Sequence, residues 1–353
     1  MFSNTNKIAL YTILILVCFL MFHGTGLHGD DYTAIKFFEK NNFIDTLIFN
    51  PNELGVWIYV LPAYLFFYIF YNIFETNFIL GYELLKVIIH ISSIFFLYKF
   101  FSDFVDQARS LLASLFFVFF VSHDSTTFWY MASAYMLFFP SLVFYSFHLI
   151  HNGNLLKGSV FLTICSFCYS TPPMIFVLSL FFLLKKEFKK FFIFLFAGLI
   201  FIFYYFTISQ FFPLTENRID DNISVLKLLQ NFIFQFLSSI DATVGLNSIY
   251  KIFYSLSYLK VKSIILSIFV TFVLLINFIN NKNNKSYFNF VLFISLVMIY
   301  LLSLSMYSLT GMYTQSSFNL GNRVTIYFCI VIGYLLILIK NKNLLVVLFS
   351  LIL

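Results

Sequence analysis

The stretch His28-Gly29-Asp30-Asp31-Tyr32 holds the residues of this chain best suited to chemistry. It follows directly on the first apolar segment, in a sequence with 15 acidic residues among 353. Adjacent carboxylates need water, a cation or a hydrogen-bond donor to stay charged together. Used functionally, one of them is a general base that takes a proton from a hydroxyl. Used structurally, an Asp ahead of a helix accepts its free backbone N–H groups. A pair can do both, one carboxylate capping while the other faces a cavity.

Further groups invite the same weighing. Ser122-His123-Asp124-Ser125 supplies a second acidic site, with His123 beside Asp124, and a cap on the segment Phe128-Trp129-Tyr130 accounts for it equally well. Glu83, Lys86 and His90 follow at i, i+3 and i+7 in an apolar run, which places them on one helix face. Ionisable groups within a span face a cavity or one another, and a Glu83–Lys86 pair that stabilises the bundle is the plainer account. Arg323 stands out because the chain has three Arg against eighteen Lys. Guanidinium suits bidentate phosphate recognition better than ammonium does. Asn319-Leu320-Gly321-Asn322-Arg323 lies where a loop enters a span, with Tyr313 and Gln315 near in sequence. The competing use of Arg323 is an interfacial anchor. Arg218-Ile219-Asp220-Asp221 reads as a solvated loop with a weaker claim on the same phosphate. Cys165 and Cys168 have CxxC spacing without a second ligand pair, so they read as small buried apolar residues. No Walker A loop, GxSxG elbow, HExxH or Rossmann glycine pattern is present.

The elements that position these groups are apolar helices. The composition is 61% hydrophobic and 10% charged, too little charge for a soluble domain of this length. The sequence describes one integral membrane domain, an all-α polytopic bundle of about ten to eleven spans. The net charge of +6 comes from short Lys clusters between apolar runs, which sets topology and gives no sign of nucleic-acid binding. The first segment, about Ile8 to Phe22, reads as a retained signal anchor. A first outer loop, 24–77, carries an interfacial helix over Asp31 to Lys40, with Ile35 and Phe38 on one face. Trp57 to Phe74 is apolar enough to cross, but Pro62 interrupts it. If it stays interfacial, Lys99, Arg109, Lys157, Lys185, Lys186, Lys189 and Lys190 all face the cytoplasm. Two half-length segments flank Pro172-Pro173, and 211–262 is expected as a long outer loop. Asp30, Asp31 and Asp124 then share the outer face.

This layout resembles the GT-C class of membrane glycosyltransferases, which use polyprenyl-phosphate sugars. The class includes protein O-mannosyltransferases, aminoarabinose transferases and O-antigen glucosyltransferases. The resemblance rests on an apolar first helix, Gly29-Asp30-Asp31-Tyr32 in the first outer loop, many spans and the late Arg323. It implies that Asp30 is the catalytic aspartate, with Asp31 where Glu is commoner, and that Asp124 is the second-loop acidic residue. Arg323 would then contact the lipid phosphate. A divalent cation, Mg or Mn, bridging Asp30, Asp31 or Asp124 is a further option. The implied partners are a polyprenyl-phosphate sugar donor, a glycan or other hydroxyl acceptor and the lipid bilayer, with no nucleic acid. The implied location is the bacterial inner membrane, with the site facing the periplasm, in the service of O-antigen, lipopolysaccharide or another cell-envelope glycan. No WWD-type motif is found. A transporter or flippase of lipid-linked saccharide, and an O-antigen polymerase, are the alternatives.

Overall fold

The computed structural model describes residues 4–74, 79–120, 124–211, 224–258, 260–280, 288–310 and 325–339. Among these the chain is helical and forms no strand, apart from one isolated bridge between Val60 and Cys168. Helices are what a chain this apolar must form in lipid, where each backbone polar group needs a partner within its own segment. Helix α1 is Asn4–Phe22, α2 Asp30–Lys40 and α3 Phe43–Phe49. A 3-10 segment over Pro51–Tyr59 leads into α4, Leu61–Phe74. Then come α5 (Ile79–Phe101), α6 (Gln107–Phe119) and the short α7 (Asp124–Phe128). Helices α8 (Tyr130–Ala132) and α9 (Phe139–His151) run on as one rod, Tyr130–His151, through a π turn at Ser133–Phe138. The rest are α10 (Leu155–Cys165), α11 (Pro172–Leu184), α12 (Phe188–Phe211), α13 (Val225–Val244), α14 (Leu246–Ser257), α15 (Val261–Asn280), α16 (Phe290–Thr310) and α17 (Thr325–Leu336).

Among the described residues, four helices are long and apolar enough to cross a membrane: Ile79–Phe101, Tyr130–His151, Phe188–Gln210 and Phe290–Leu309. Six shorter apolar helices pack among or beside them, including α10 and α11, the two half-length segments around Pro172-Pro173. The described part of the protein is therefore all-helical, and its four long apolar helices suit an integral membrane protein. Tyr130–His151 is the most enclosed of the four, and Phe188–Gln210 the least. Close crossings use small residues. A Cβ on Gly158 would meet Ile150 Cγ1 at 2.5 Å, and one on Gly198 would meet the Phe176 ring at the same distance.

Trp57 to Phe74 does not form one continuous helix. The 3-10 segment ends at Tyr59, whose carbonyl accepts the Tyr169 N–H at 2.9 Å. Pro62 sits in the first turn of α4, where its missing N–H costs nothing. The 14 residues of α4 cover about 21 Å, short of the roughly 30 Å hydrocarbon core. The helix packs against α2 through Phe38, whose ring lies 5.8 Å from Phe67 and 5.6 Å from Tyr71.

The stretch 211–262, expected as a long loop, instead carries α13 and α14. The polar residues of α13 form its packing face. Gln235, Ser239 and Thr243 are buried at four-residue spacing. The Ser239 hydroxyl lies 2.5 Å from Tyr300 Oη on α16, and Asn231 Nδ2 donates to the Ser308 carbonyl at 3.2 Å. Leu229, Ile233, Phe234 and Leu237 face outward. Such an inside-out helix suits a lipid surround, because outward apolar groups meet no water there.

The helices have two chemically distinct ends. At one, the Asp103 carboxylate lies 3.0 Å from His148 Nδ1, Lys190 Nζ donates to the His151 carbonyl at 3.0 Å, and Arg109 Nη2 donates to the Ile339 carbonyl at 3.4 Å. Lys99, Lys185 and Lys190 belong to this end. At the other, α1 finishes, α5 and the Tyr130–His151 rod begin, and Asp31 and Glu83 are found. Single cysteines replacing the exposed Glu39 and Lys189 are expected to react with a membrane-impermeant maleimide from opposite sides of sealed vesicles. The four native cysteines are buried and stay silent. Labelling of both from one side would contradict this arrangement.

Candidate functional site

The acidic pair divides its labour. Asp31 is fully buried although it lies in the first turn of α2. Its Oδ2 accepts the backbone N–H groups of Tyr130 at 3.0 Å and His28 at 3.2 Å, and its Oδ1 accepts that of Met131 at 3.0 Å. Tyr130 and Met131 open the central rod, and Trp129, the residue ahead of them, makes no side-chain cap bond. Helix starts leave N–H groups unpaired. Asp31 therefore caps a helix 99 residues away in sequence. Burial pushes its carboxyl up to about 6, even though the three N–H donors and the Lys86 charge pull the other way. Asp30, by contrast, is exposed at the start of α2.

Gly29 makes the corner possible. Its φ of +48° with ψ of −117° is a conformation that side chains with a Cβ avoid. A Cβ there would also stand 2.9 Å from Cη2 and Cζ2 of Trp129. The ring of Trp129 thus lies directly on the backbone just ahead of the pair.

Glu83 and Lys86 belong to the same corner. Glu83 Oε1 accepts the N–H of Gly24 at 2.9 Å and that of Gly26 at 3.3 Å, and Oε2 lies 3.5 Å from His23 Nδ1. Lys86 is buried and donates to the Gly26 carbonyl, with Asp31 and Glu83 as its charged neighbours. His90, one turn further, bonds the Lys86 carbonyl through Nδ1 at 2.8 Å. The i, i+3, i+7 face of α5 thus holds the turn that joins α1 to α2.

Asp30, Asp31, Glu83 and Lys86 come together here. Asp124 opens α7, and its side chain is outside the description. His123, Arg218, Tyr313, Asn322 and Arg323 lie outside the described residues. Among the described residues, no group of three His, Cys, Asp or Glu side chains could hold a metal ion. The sequence reading quoted His28, Gly29 and Trp129 beside the candidate residues but gave them no role of their own. The signal for Gly29 was a glycine abutting an acidic pair, but its contact with Trp129 is made across 100 positions of sequence.

The raised carboxyl of Asp31 fixes a pH dependence. A folded-state value of about 6, against 3.8 for a free side chain, means the fold holds this proton more tightly than the unfolded chain does. The contribution is complete below about pH 4 and is lost as pH rises through 6. The thermal-unfolding difference between wild type and Asp31→Asn should therefore shift toward wild type on acidification from pH 7.5 to 5. A pH-independent difference would contradict the assignment. Gly29→Ala should destabilise by about 1–3 kcal/mol from backbone strain alone, measured by the same melts. Compared with family models, curated proteins and solved structures, the chain matches none of them.

Proposed function

We propose that the protein is a GT-C-like membrane glycosyltransferase that moves a sugar from a polyprenyl-phosphate donor to a hydroxyl of a glycan, lipid or protein acceptor. Asp30 is its base. The observation that carries this reading is the split of the acidic pair. Asp31 spends both oxygens on N–H groups, which fixes α2 against the central rod, while Asp30 stays exposed one residue away. A base must be reachable and rigidly held, and Asp30 meets both conditions.

In the proposed step, Asp30 takes the proton of the acceptor hydroxyl as its oxygen attacks the anomeric carbon. The bond from that carbon to the phosphate oxygen breaks, and polyprenyl phosphate leaves with the electron pair. Arg323 is assigned to the departing charge, with Asn322, Tyr313 and Arg218 supporting it; His123 and Asp124 approach the acceptor. Preorganised cationic groups of this kind contribute several kcal/mol in enzyme sites. The positive-inside rule assigns the Lys-rich end to the cytoplasm and the Asp30 corner to the outer face, in a bacterial inner membrane the periplasm.

A second reading has one observation in its favour. Glu83, Lys86 and His90 run inward along a span, as charged groups do in carriers of lipid-linked saccharide. The two readings differ in whether a bond forms. Membranes given labelled polyprenyl-phosphate sugar should label an acceptor. Asp30→Asn should lower that transfer by about 10²-fold or more without altering the melting temperature, whereas Asp31→Asn should lower stability. An active Asp30→Asn protein removes Asp30 as base. Label that crosses sealed vesicles without forming a bond favours the carrier.

A further inference from the structure

The turn between α11 and α12 closes a helix with a residue that the backbone there disfavours. The Lys186 N–H donates to the Leu183 carbonyl and the Glu187 N–H to the Phe182 carbonyl, each at 2.9 Å. This paired cap requires one residue in the left-handed region, and glycine is its usual occupant. Here that residue is Lys186, with φ of +60°. The central rod ends in the same motif. There the Gly153 N–H donates to the Ile150 carbonyl at 3.2 Å and the Asn154 N–H to the Leu149 carbonyl at 2.8 Å, and the left-handed residue is Gly153, with φ of +89°. Among the described residues Lys186 is the one non-glycine with positive φ. A side chain with a Cβ is strained in that region. The fold therefore keeps a lysine where glycine would be more stable. Topology does not account for it, because a lysine at any position of the turn would serve.

The surroundings of Lys186 are cationic and open. Lys185, Lys186 and Lys189 are exposed and make no ion pair among the described residues. Lys185 Nζ lies 5.6 Å from the centre of the Phe181 ring. The one carboxylate of the turn, Glu187, is committed to Lys190, Oε2 to Nζ 2.5 Å, and Lys190 also donates to the His151 carbonyl. Three uncompensated ammonium groups thus stand within five residues. Apolar groups flank them. Leu184 and Phe188 are exposed in the same turn, and Phe192, Phe196 and Leu199 are exposed at i, i+4 and i+7 on one face of α12. This is the least enclosed of the four long helices. From Phe188 to Leu199 it rises about 16 Å, close to half the hydrocarbon core, or one leaflet.

A soluble anion would use the ammonium groups and leave the apolar face bare. A lipid without net charge would use the face and give Lys186 no reason for its strain. The geometry points to an anionic phospholipid bound at this turn, its phosphate on Lys185, Lys186 and Lys189 and an acyl chain along Phe192, Phe196 and Leu199. The site lies on the open surface of the bundle and does not depend on the glycosyl-transfer reading.

The test uses the full chain in detergent, with bound lipids counted by native mass spectrometry. The probes are phosphatidylglycerol and phosphatidylcholine with the same acyl chains. Phosphatidylglycerol should bind at least about tenfold more tightly. Lys186→Gly should weaken that binding about fivefold, the worth of one ammonium near an anionic headgroup, yet without lipid it should melt no lower than wild type. Lys185→Gln combined with Lys189→Gln leaves the cap backbone as it is and should weaken binding about 25-fold. Lys36→Gln, on the exposed side of α2, should bind as wild type does. Equal binding of the two lipids, or unchanged phosphatidylglycerol binding in both turn variants, overturns the site. A lower melting temperature of lipid-free Lys186→Gly makes Lys186 a structural residue and overturns it as well. Displacement of the lipid by equimolar glycerol 1-phosphate overturns the lipid in favour of a free phosphate.

Discussion

A carboxylate taken out of water is costly unless donors surround it, and Asp31 is fully buried. Its surroundings supply what water would: the amides of Tyr130, Met131 and His28, and the ammonium of Lys86 nearby. The cost and the compensation come from different parts of the chain, so this contact is a tertiary one. It joins the first turn of α2 to the first turn of the most enclosed span. Gly29 must take its unusual backbone shape to bring Asp31 there, and the ring of Trp129 then closes over it. Asp30, the preceding position of the same turn, is left exposed. The exposed carboxylate is a consequence of the buried one.

The turn between α1 and α2 depends on the same arrangement. Gly24 and Gly26 give their N–H groups to Glu83, and Gly26 receives the Lys86 ammonium on its carbonyl. An acidic and a basic residue one turn apart on α5 thus grip opposite polarities of one short loop. Neither would be tolerated alone in a span, because an unpaired charge in hydrocarbon is expensive. Together with Asp31 they leave the corner with two carboxylates and one ammonium, drawn from α2 and α5. The electrostatics and the path of the chain determine each other here.

Some of this was legible in the sequence. The 3.6-residue period of Ile35 and Phe38 marks α2, and the structure starts that helix at Asp30, one residue from the expected position. The face of α5 that carries Glu83, Lys86 and His90 follows from spacing alone. The gathering of Lys99, Arg109 and Lys190 at one end follows from the charge pattern between apolar runs. What the sequence conceals is partnership at long range. That one of the two aspartates caps a helix is a local inference; that the helix begins at Tyr130 is not. The packing face of α13 is hidden for a related reason. Periodicity reveals a face but not whether lipid or protein lies against it, and in lipid the usual sense of inside and outside is reversed.

The hydrogen-bonding character of the corner carries the argument one step further. Several of its described donors are committed: Lys86 to Gly26, the amides of Tyr130 and Met131 to Asp31, those of Gly24 and Gly26 to Glu83. What it leaves exposed is an acceptor, the carboxylate of Asp30. Acceptors suit the half of glycosyl transfer in which a hydroxyl is held and loses its proton. They are wrong for the half in which a phosphate departs with its charge, which requires donors. On the proposed reading, transfer therefore needs a second, cationic half from another part of the chain. Arg323 precedes α17 by two residues, and α17 is held to the rod's π turn by the Tyr327 hydroxyl, which donates to the Ser170 carbonyl while the Ser170 hydroxyl donates to that of Tyr135. The Asp31 corner and the helix that follows Arg323 are thus tied to one rod, a turn apart.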